Sequence, residues 1–470
     1  MCATKAKELV VETAFDGQEI ARLETIGSAG IDSRLATAYD LFRDRDKWIP
    51  QPRRIEILHR AVAIMKTRAD QLAIDAAREG GKPLIDSQVE VARAIDGVEN
   101  CIEVLRTEPG TVIPMNVNAA SAGRIAFTRK EPIGVVVAVS AFNHPLNMGV
   151  HQVAPAIASG CPVLIKPASS TPMSVISFLN ILEEAGLPAG WAQLALTENS
   201  AAATEMVTDE RVSFFSFIGS ARVGWMLRSK LAPGARCGLE HGGAAPVIVA
   251  KDADIDSAAP VLAKGAFYHG GQVCVSVQRI FAEKSVAETL AKKLADAAQK
   301  LVVGDPTDVK TEVGPLINTG EVDRVHAWVE AAVAGGGKLL CGGERLTPTT
   351  YSPTVLLDPP ADAEVSQQEI FGPVVCVYTC DNIDAGIARA NGVPFSFQSA
   401  VFTQNLDTAL RVYARINGSA VMVNDHTAFR VDWMPFAGLG VSGHGVGGMP
   451  GSMHEMQIEK MMVLRSNQLL

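Results

Sequence analysis

Three short segments of this 470-residue chain hold side chains that together can perform acyl transfer. Gly270-Gly271-Gln272-Val273-Cys274 places a thiol on a glycine-rich loop beside a polar amide. Upstream stand Glu240, in Leu239-Glu240-His241-Gly242-Gly243, and Asn143, in Ala141-Phe142-Asn143-His144-Pro145. A thiolate can attack a carbonyl, a neutral amide can hold the oxygen that becomes negative, and a carboxylate can activate water to release the acyl group. An ordinary cysteine titrates near about 8.5, so the loop amides and a helix start at this point are expected to lower it. Each residue has a plainer reading. Free cysteines are usually small buried hydrophobes, which is how Cys161, Cys237, Cys376 and Cys380 read in their apolar surroundings. Asparagine before His-Pro is commonly a turn residue, and Glu240, close to the apolar run Val247 to Ala250, can be a salt-bridged structural carboxylate.

Three further segments complete an ordered series: Lys166-Pro167-Ala168-Ser169-Ser170-Thr171-Pro172, Phe217-Ile218-Gly219-Ser220 and Glu369-Ile370-Phe371-Gly372-Pro373. The six together resemble the active-site motifs of the aldehyde dehydrogenase superfamily, and the resemblance covers essentially the whole chain, closest to its lactaldehyde and succinate-semialdehyde branch. It implies an α/β fold: a Rossmann-type cofactor domain, an α/β catalytic domain and a small β oligomerisation arm. It also implies oxidation of a small aldehyde to its acid with NAD(P)⁺, through a thiohemiacetal and then a thioester on Cys274. Asn143 and the Cys274 backbone N–H are the implied oxyanion donors, and Glu240 the implied base for thioester hydrolysis; coenzyme A-acylating relatives often lack that glutamate. Lys166 and Ser169 are implied to contact the adenosine ribose, with Phe142, Gly219, Ser220 and Val223 along the cofactor and Glu369 and Phe371 at the nicotinamide ribose and ring. Many NAD-preferring members carry glutamate where this chain has Ser169. Serine removes the repulsion a carboxylate would exert on a 2′-phosphate, worth about 1 to 4 kcal/mol at roughly 4 Å, so NADP is the favoured cofactor, with NAD also open.

The chain departs from the family pattern at several points. Val273 replaces the arginine of some phosphate-handling relatives, which favours a small uncharged or hydroxylated aldehyde. Phe429-Arg430-Val431-Asp432 and His151 resemble the lactaldehyde branch; Arg430 can bind a distal carboxylate or pair with Asp432. Thr197-Glu198-Asn199-Ser200 replaces T-G-x-G, and Gly440 to Gly447 lacks the usual charged residues. The two G-x-G-x-x-G matches from Gly438 to Gly448 follow no strand that opens a helix, so they read as a flexible loop at the domain junction. A coenzyme A-acylating dehydrogenase, a cysteine esterase and a noncatalytic scaffold are the rival readings.

These side chains need a large scaffold to position them, and length and composition supply one. A chain of this length buries two or three cores. A formal charge of −9 without long charged runs gives no nucleic-acid or anionic-membrane surface. No apolar run approaches membrane length, and Met1 to Val11 has no export signal. Eight irregularly spaced cysteines fit a reducing cytoplasm. Nine scattered histidines, with no H-x-x-x-H or C-x-x-C, give no metal site.

Apolar spacing predicts helices from Arg53 to Glu79, Asp86 to Leu105, Met173 to Ala185, Val286 to Leu301 and Val322 to Ala334. Between and after them, β-branched runs predict strands at Val135 to Val139, Val163 to Ile165, Phe214 to Ile218, Val247 to Val249, Val374 to Tyr378 and Ala400 to Phe402, with Thr111 to Lys130 extended. The expected division is 1–110 and 131–241 for the cofactor domain, 242–440 for the catalytic domain, and 111–130 with 441–470 for the arm. By resemblance, the last twenty or so residues pair with a neighbouring subunit in a homodimer or homotetramer.

Overall fold

The structure, a computed structural model, describes residues 7–469. Met1–Ala6, part of the stretch without an export signal, and Leu470, the last residue of the expected arm, lie outside the described residues. Two parallel sheets dominate, and the active loops lie where they face each other.

The first sheet runs in the order Gly443–His444, Arg236–Glu240, Val212–Ile218, Val135–Val139, Val163–Lys166, Ala192–Leu194. All pairings are parallel except that of Gly443–His444. Val135–Ala138 and Val163–Ile165 are buried, as parallel strands covered by helices on both faces require. Val139 pairs with both Lys166 and Phe217, so the ends of these strands align. The chain leaves Val135–Val139 toward one edge and returns through Val212–Ile218 on its other side. The gap between those two strands is therefore the topological switch point, where ligand crevices form at strand carboxyl ends. The loops carrying Asn143, Ser169, Gly219 and Gly242 all emerge at that edge.

The second sheet has the order Lys338–Cys341, Thr354–Leu357, Val374–Cys380, Arg279–Glu283, Pro246–Val249, Gln398–Phe402, Ala420–Val423, parallel except for the first pair. Its amino edge bears the loops of Gly243, Cys274 and Glu369, each just ahead of a strand. The catalytic candidates thus come from the carboxyl edge of one sheet and the amino edge of the other.

Helix positions follow the apolar spacing with end shifts: Leu84–Thr107, Met173–Glu184, Lys284–Ala298 and Thr319–Ala334. The single helix expected from Arg53 to Glu79 is instead two, Gln51–Thr67 and Ala69–Gly80. Arg68 breaks the ladder at φ −111° and ψ 11°, while its guanidinium pairs with Glu184 at 2.7 Å. Met65 and Leu72 stay on the buried side across the break, so apolar spacing passes over it without a sign.

The glycine-rich segment after Gly438 is not a plain loop. Leu439–Gly440 pairs with Phe395–Ser396, Gly443–His444 pairs with Leu239–Glu240, and Met449–Glu455 is a helix packed on Pro145–Ser159. It thus adds an edge strand to the first sheet and forms a separate two-stranded ladder with the chain just ahead of Gln398–Phe402 of the second. The segment expected as an arm from residue 441 accordingly divides at Gln457: Gln457–Arg465 forms an antiparallel sheet with Arg124–Pro132 and Val112–Ile113. Gln457–Arg465 is an edge strand of that sheet and exposes Met461, Met462, Val463 and Leu464.

Gly271 shows how closely the loops meet. It sits at φ +71°, and a Cβ there would lie 2.0 Å from the Gly372 carbonyl oxygen. Gly271→Ala is expected to cost on the order of 1–3 kcal/mol, seen as a lower thermal midpoint, and to change the alkylation rate of Cys274, which lies three residues on.

Candidate active site

A cavity of about 490 Å³ lies between the facing sheet edges. Eleven of the candidates line it: Phe142, Asn143, His151, Gly219, Ser220, Val223, Glu240, Cys274, Glu369, Phe371 and Arg430. Lys166 and Ser169 do not, although Ala168 between them does. Lys166 ends its strand and donates weakly to the Pro167 carbonyl at 3.4 Å; burial lowers its ammonium below the usual range. Ser169 is exposed beyond it.

The Cys274 loop is held by its amide neighbour. Gln272 donates from Nε2 to the Pro315 carbonyl at 3.1 Å and accepts at Oε1 from Ile317 N–H at 3.0 Å. Asn143 Nδ2 donates to the Gln272 carbonyl oxygen at 2.9 Å, which ties the two loops together. A side-chain amide has two N–H groups, so one remains for an oxygen in the cavity.

The electrostatics of the thiol reverse the expectation from sequence. No helix starts at Cys274; the helix Ile255–Phe267 ends before it in a short turn. Burial, then Glu369 and Glu240, push the thiol well above its ordinary value, and Arg430 and the loop N–H only partly offset them. The carboxylates belong to distant segments, so the loop sequence did not reveal them. Burial also raises Glu240, which His151 and Arg430 pull back down, and pushes Glu369 up to about 8.

Glycines make room for both carboxylates. A Cβ on Gly447 would lie 2.0 Å from Glu240 Oε1, and one on Gly242 would lie 1.9 Å from both oxygens of Glu369. Glu369 accepts from Gly243 N–H at 3.2 Å. Phe371, at φ +50°, meets Phe142 edge to face with centroids 5.7 Å apart.

Arg430 and Asp432 do not pair. Asp432 is fully buried, with its oxygens taken by Arg93 at 2.8 and 3.0 Å and by His151 Nε2 at 2.6 Å. Burial alone would raise its carboxyl; His151 and Arg93 outweigh it and hold the group well below the usual range. Arg430 instead donates to the Met434 and Pro435 carbonyls at 3.0 and 3.3 Å and lies over the Phe436 ring at 4.1 Å. Its Nη2 is covered and has no partner among the described residues.

Sequence reasoning passed over Arg93 and Arg324, which also line the cavity. Arg324 bonds the Ile370 carbonyl at 2.7 Å, beside Glu369 and Phe371. No local spacing signals either residue: both sit on helices whose charged positions read as solvated faces.

The cofactor end suits a phosphate. Ser220 caps the helix Ala221–Arg228 without a side-chain bond, and Gly219 and Ser220 face the cavity, so the first-turn N–H groups can receive an anion. Among the described residues no group of three or more His, Cys, Asp or Glu side chains can hold a metal ion. No helix among them is long and apolar enough to cross a membrane.

Residues 2–462 match the aldehyde dehydrogenase family, and the chain belongs to it. It is 35% identical to a 3-sulfolactaldehyde dehydrogenase of Priestia aryabhattai over 461 residues, 98% of this chain and 96% of that protein. It is also 35% identical to a lactaldehyde dehydrogenase of Methanocaldococcus jannaschii, covering 90% of each chain. Among solved structures it is similar to aldehyde dehydrogenase 21 of Physcomitrella patens in complex with the reaction product succinate, with a TM-score of 0.95 and 33% identity over 100% of this chain and 97% of that one. Another is glyceraldehyde-3-phosphate dehydrogenase of Methanocaldococcus jannaschii complexed with NADP, with a TM-score of 0.93 and 32% identity over 99% and 100% of the two chains. The protein is an NAD(P)-dependent aldehyde dehydrogenase, an oxidoreductase of α/β fold.

Because the thiol is raised, its alkylation by iodoacetamide in the free enzyme is expected to keep climbing with pH up to at least about pH 9, above the ordinary thiol value. Glu369→Gln removes a neighbouring acid and is expected to speed the reaction at pH 8.5. A plateau reached by pH 7 would contradict the raised thiol.

Proposed function

We propose that this enzyme oxidises a small aldehyde bearing a second polar group, hydroxyl or carboxylate, to its carboxylic acid by a hydrolytic route. The observation that carries this reading is that Cys274, Asn143 and Glu240 line one cavity.

Cys274 gives its proton to solvent water and its sulfur bonds to the aldehyde carbon, while the carbonyl π pair moves onto the oxygen, which becomes negative. The free N–H of Asn143 and the backbone N–H of Cys274 hold that oxygen, donors fixed before charge develops. The nicotinamide cofactor, when bound, supplies the hydride acceptor that turns the thiohemiacetal into a thioester. Gly219 and Ser220 would hold its pyrophosphate, Glu369 and Phe371 its nicotinamide end, and Lys166 and Ser169 its adenosine end. Glu240 then takes a proton from water, the water oxygen bonds to the acyl carbon, and the sulfur leaves. A buried carboxyl is a stronger base than a free one, which suits this step.

At the far end, the unbonded Nη2 of Arg430 is a donor whose burial an anionic substrate group would relieve. The sulfolactaldehyde and succinate named for two relatives fit the same pattern. The absence of a carboxylate at Ser169 supports NADP over NAD. The seven described cysteines are unpaired, which suits a reducing cytoplasm, and the free edge of Gln457–Arg465 suits assembly into a homodimer or homotetramer.

With coenzyme A omitted, aldehyde-dependent NADP⁺ reduction is expected, monitored at 340 nm as the ordinary assay. Glu240→Gln is expected to lower steady-state kcat on the order of 10²- to 10⁴-fold, the usual range for a general base. Turnover only after coenzyme A is added would sink the hydrolytic reading. Ser169→Glu is expected to raise the KM for NADP⁺ about tenfold or more, and an unchanged KM would remove the cofactor argument. Arg430→Met is expected to raise the KM for succinic semialdehyde more than for propionaldehyde.

A further inference from the structure

The two implied oxyanion donors come from different sheets. Asn143 follows the strand Val135–Val139, whereas the Cys274 loop precedes Arg279–Glu283. Something must fix one loop against the other, because donors stabilise a developing charge only at hydrogen-bond distance from it.

The start of the helix Leu84–Thr107 touches both loops. Glu90, fully buried, accepts at Oε1 from the N–H groups of Leu146 and Asn147 at 2.9 and 3.0 Å. These are first-turn donors of the helix Pro145–Ser159, whose cap residue His144 makes no side-chain capping bond. Glu90 therefore holds the helix start that Asn143 immediately precedes. Its other oxygen bonds the ammonium of Lys82, itself fully buried. Four residues earlier and on the same helix face, Asp86 Oδ2 accepts from His269 N–H at 3.2 Å. His269 sits at φ +49° at the head of the Cys274 loop. The segment just before also presses on that loop's supports: a Cβ on Gly314 would lie 2.0 Å from the Gly81 carbonyl oxygen, and Pro315 receives Gln272 Nε2.

We propose that Asp86 and Glu90 are positioning residues, one helical turn apart, that set the spacing between Asn143 and the Cys274 N–H across the two sheets. Neither touches the substrate. Helix rise fixes the distance between two residues one turn apart, so this is a stiff reference for two loops that otherwise meet through the Asn143–Gln272 bond, the 3.4 Å contact of Tyr268 Oη with His144 Nε2, and the His144 ring against Tyr268 and His269. The proposal rests on the reading of Asn143 and Cys274 as the oxyanion donors.

The test compares Asp86→Ala with Asp86→Asn, whose amide oxygen can accept the same bond from His269. Two rates are measured: aldehyde-dependent NADP⁺ reduction, and hydrolysis of p-nitrophenyl acetate without cofactor. The ester reaction needs the thiol and the oxyanion donors but no oxidation, so it tests the spacing even if the dehydrogenase reading fails. Asp86→Ala is expected to lower kcat for both reactions about 10- to 100-fold, the scale of a misplacement near 1 Å. Aldehyde KM and NADP⁺ affinity, read by fluorescence titration, should stay within about twofold, while Asp86→Asn should recover kcat to within about threefold. Should Asp86→Ala fail to fold, the pair Lys82→Met with Glu90→Leu replaces it. That pair removes both buried charges together, so neither is left unpaired, and the same kcat loss in a folded protein is expected. Ester hydrolysis at the unmodified rate in Asp86→Ala or in the paired variant would overturn the proposal, as would Asp86→Asn falling as far as Asp86→Ala.

Discussion

Three acids line one cavity, and burial disfavours the charged form of each. Cys274, Glu240 and Glu369 all line it, burial raises each of them, and the two carboxylates raise the thiol further. A carboxyl pushed up to about 8 is mostly neutral at pH 7, which relieves the thiol of one opposing charge. Arg430 and His151 draw Glu240 the other way. The balance suits a reaction in which the sulfur must be negative first and Glu240 must act as a base only after the thioester exists.

That balance is set by how the chain closes the cavity. The carboxyl edge of one parallel sheet faces the amino edge of the other, so Asn143, Cys274 and Glu369 arrive on loops and Glu240 at a strand end. Where the loops meet, glycine is a steric requirement: Gly242 and Gly447 leave the volume the two carboxylates occupy, and Gly271 passes against the Gly372 carbonyl. The segment from Gly438 to Glu455 adds the edge strand Gly443–His444 to the first sheet and pairs with the chain just ahead of Gln398–Phe402 of the second, and its Gly447 forms the seat of Glu240.

Much of this was legible in the sequence because motif chemistry is local. The β-branched runs named the central strands, glycines flanked the nucleophile, and the candidate catalytic residues all reach the cavity. What stayed hidden depends on contacts that spacing does not carry. Arg93 and Asp432 are 339 residues apart in sequence, so the pairing that keeps Asp432 from Arg430 and leaves Arg430 Nη2 without a partner among the described residues had no local trace. The sense of the Cys274 shift is hidden for the same reason: loop amides are visible beside it in sequence, whereas the opposing carboxylates arrive from other segments. The break at Arg68 was invisible because the apolar face continues through it, and the glycine-rich segment misled because its ladders are only two residues long on each side.

In the proposed mechanism Cys274 carries the acyl group and Glu240 releases it. The most direct measurement is acid quench of the Glu240→Gln protein during turnover with NADP⁺ and succinic semialdehyde, followed by intact-mass and peptide mass analysis. A near-stoichiometric succinyl adduct is expected on the peptide containing Cys274, absent when NADP⁺ is left out. An unmodified Cys274 peptide alongside full formation of acid, or an acyl group on any other residue, would contradict it.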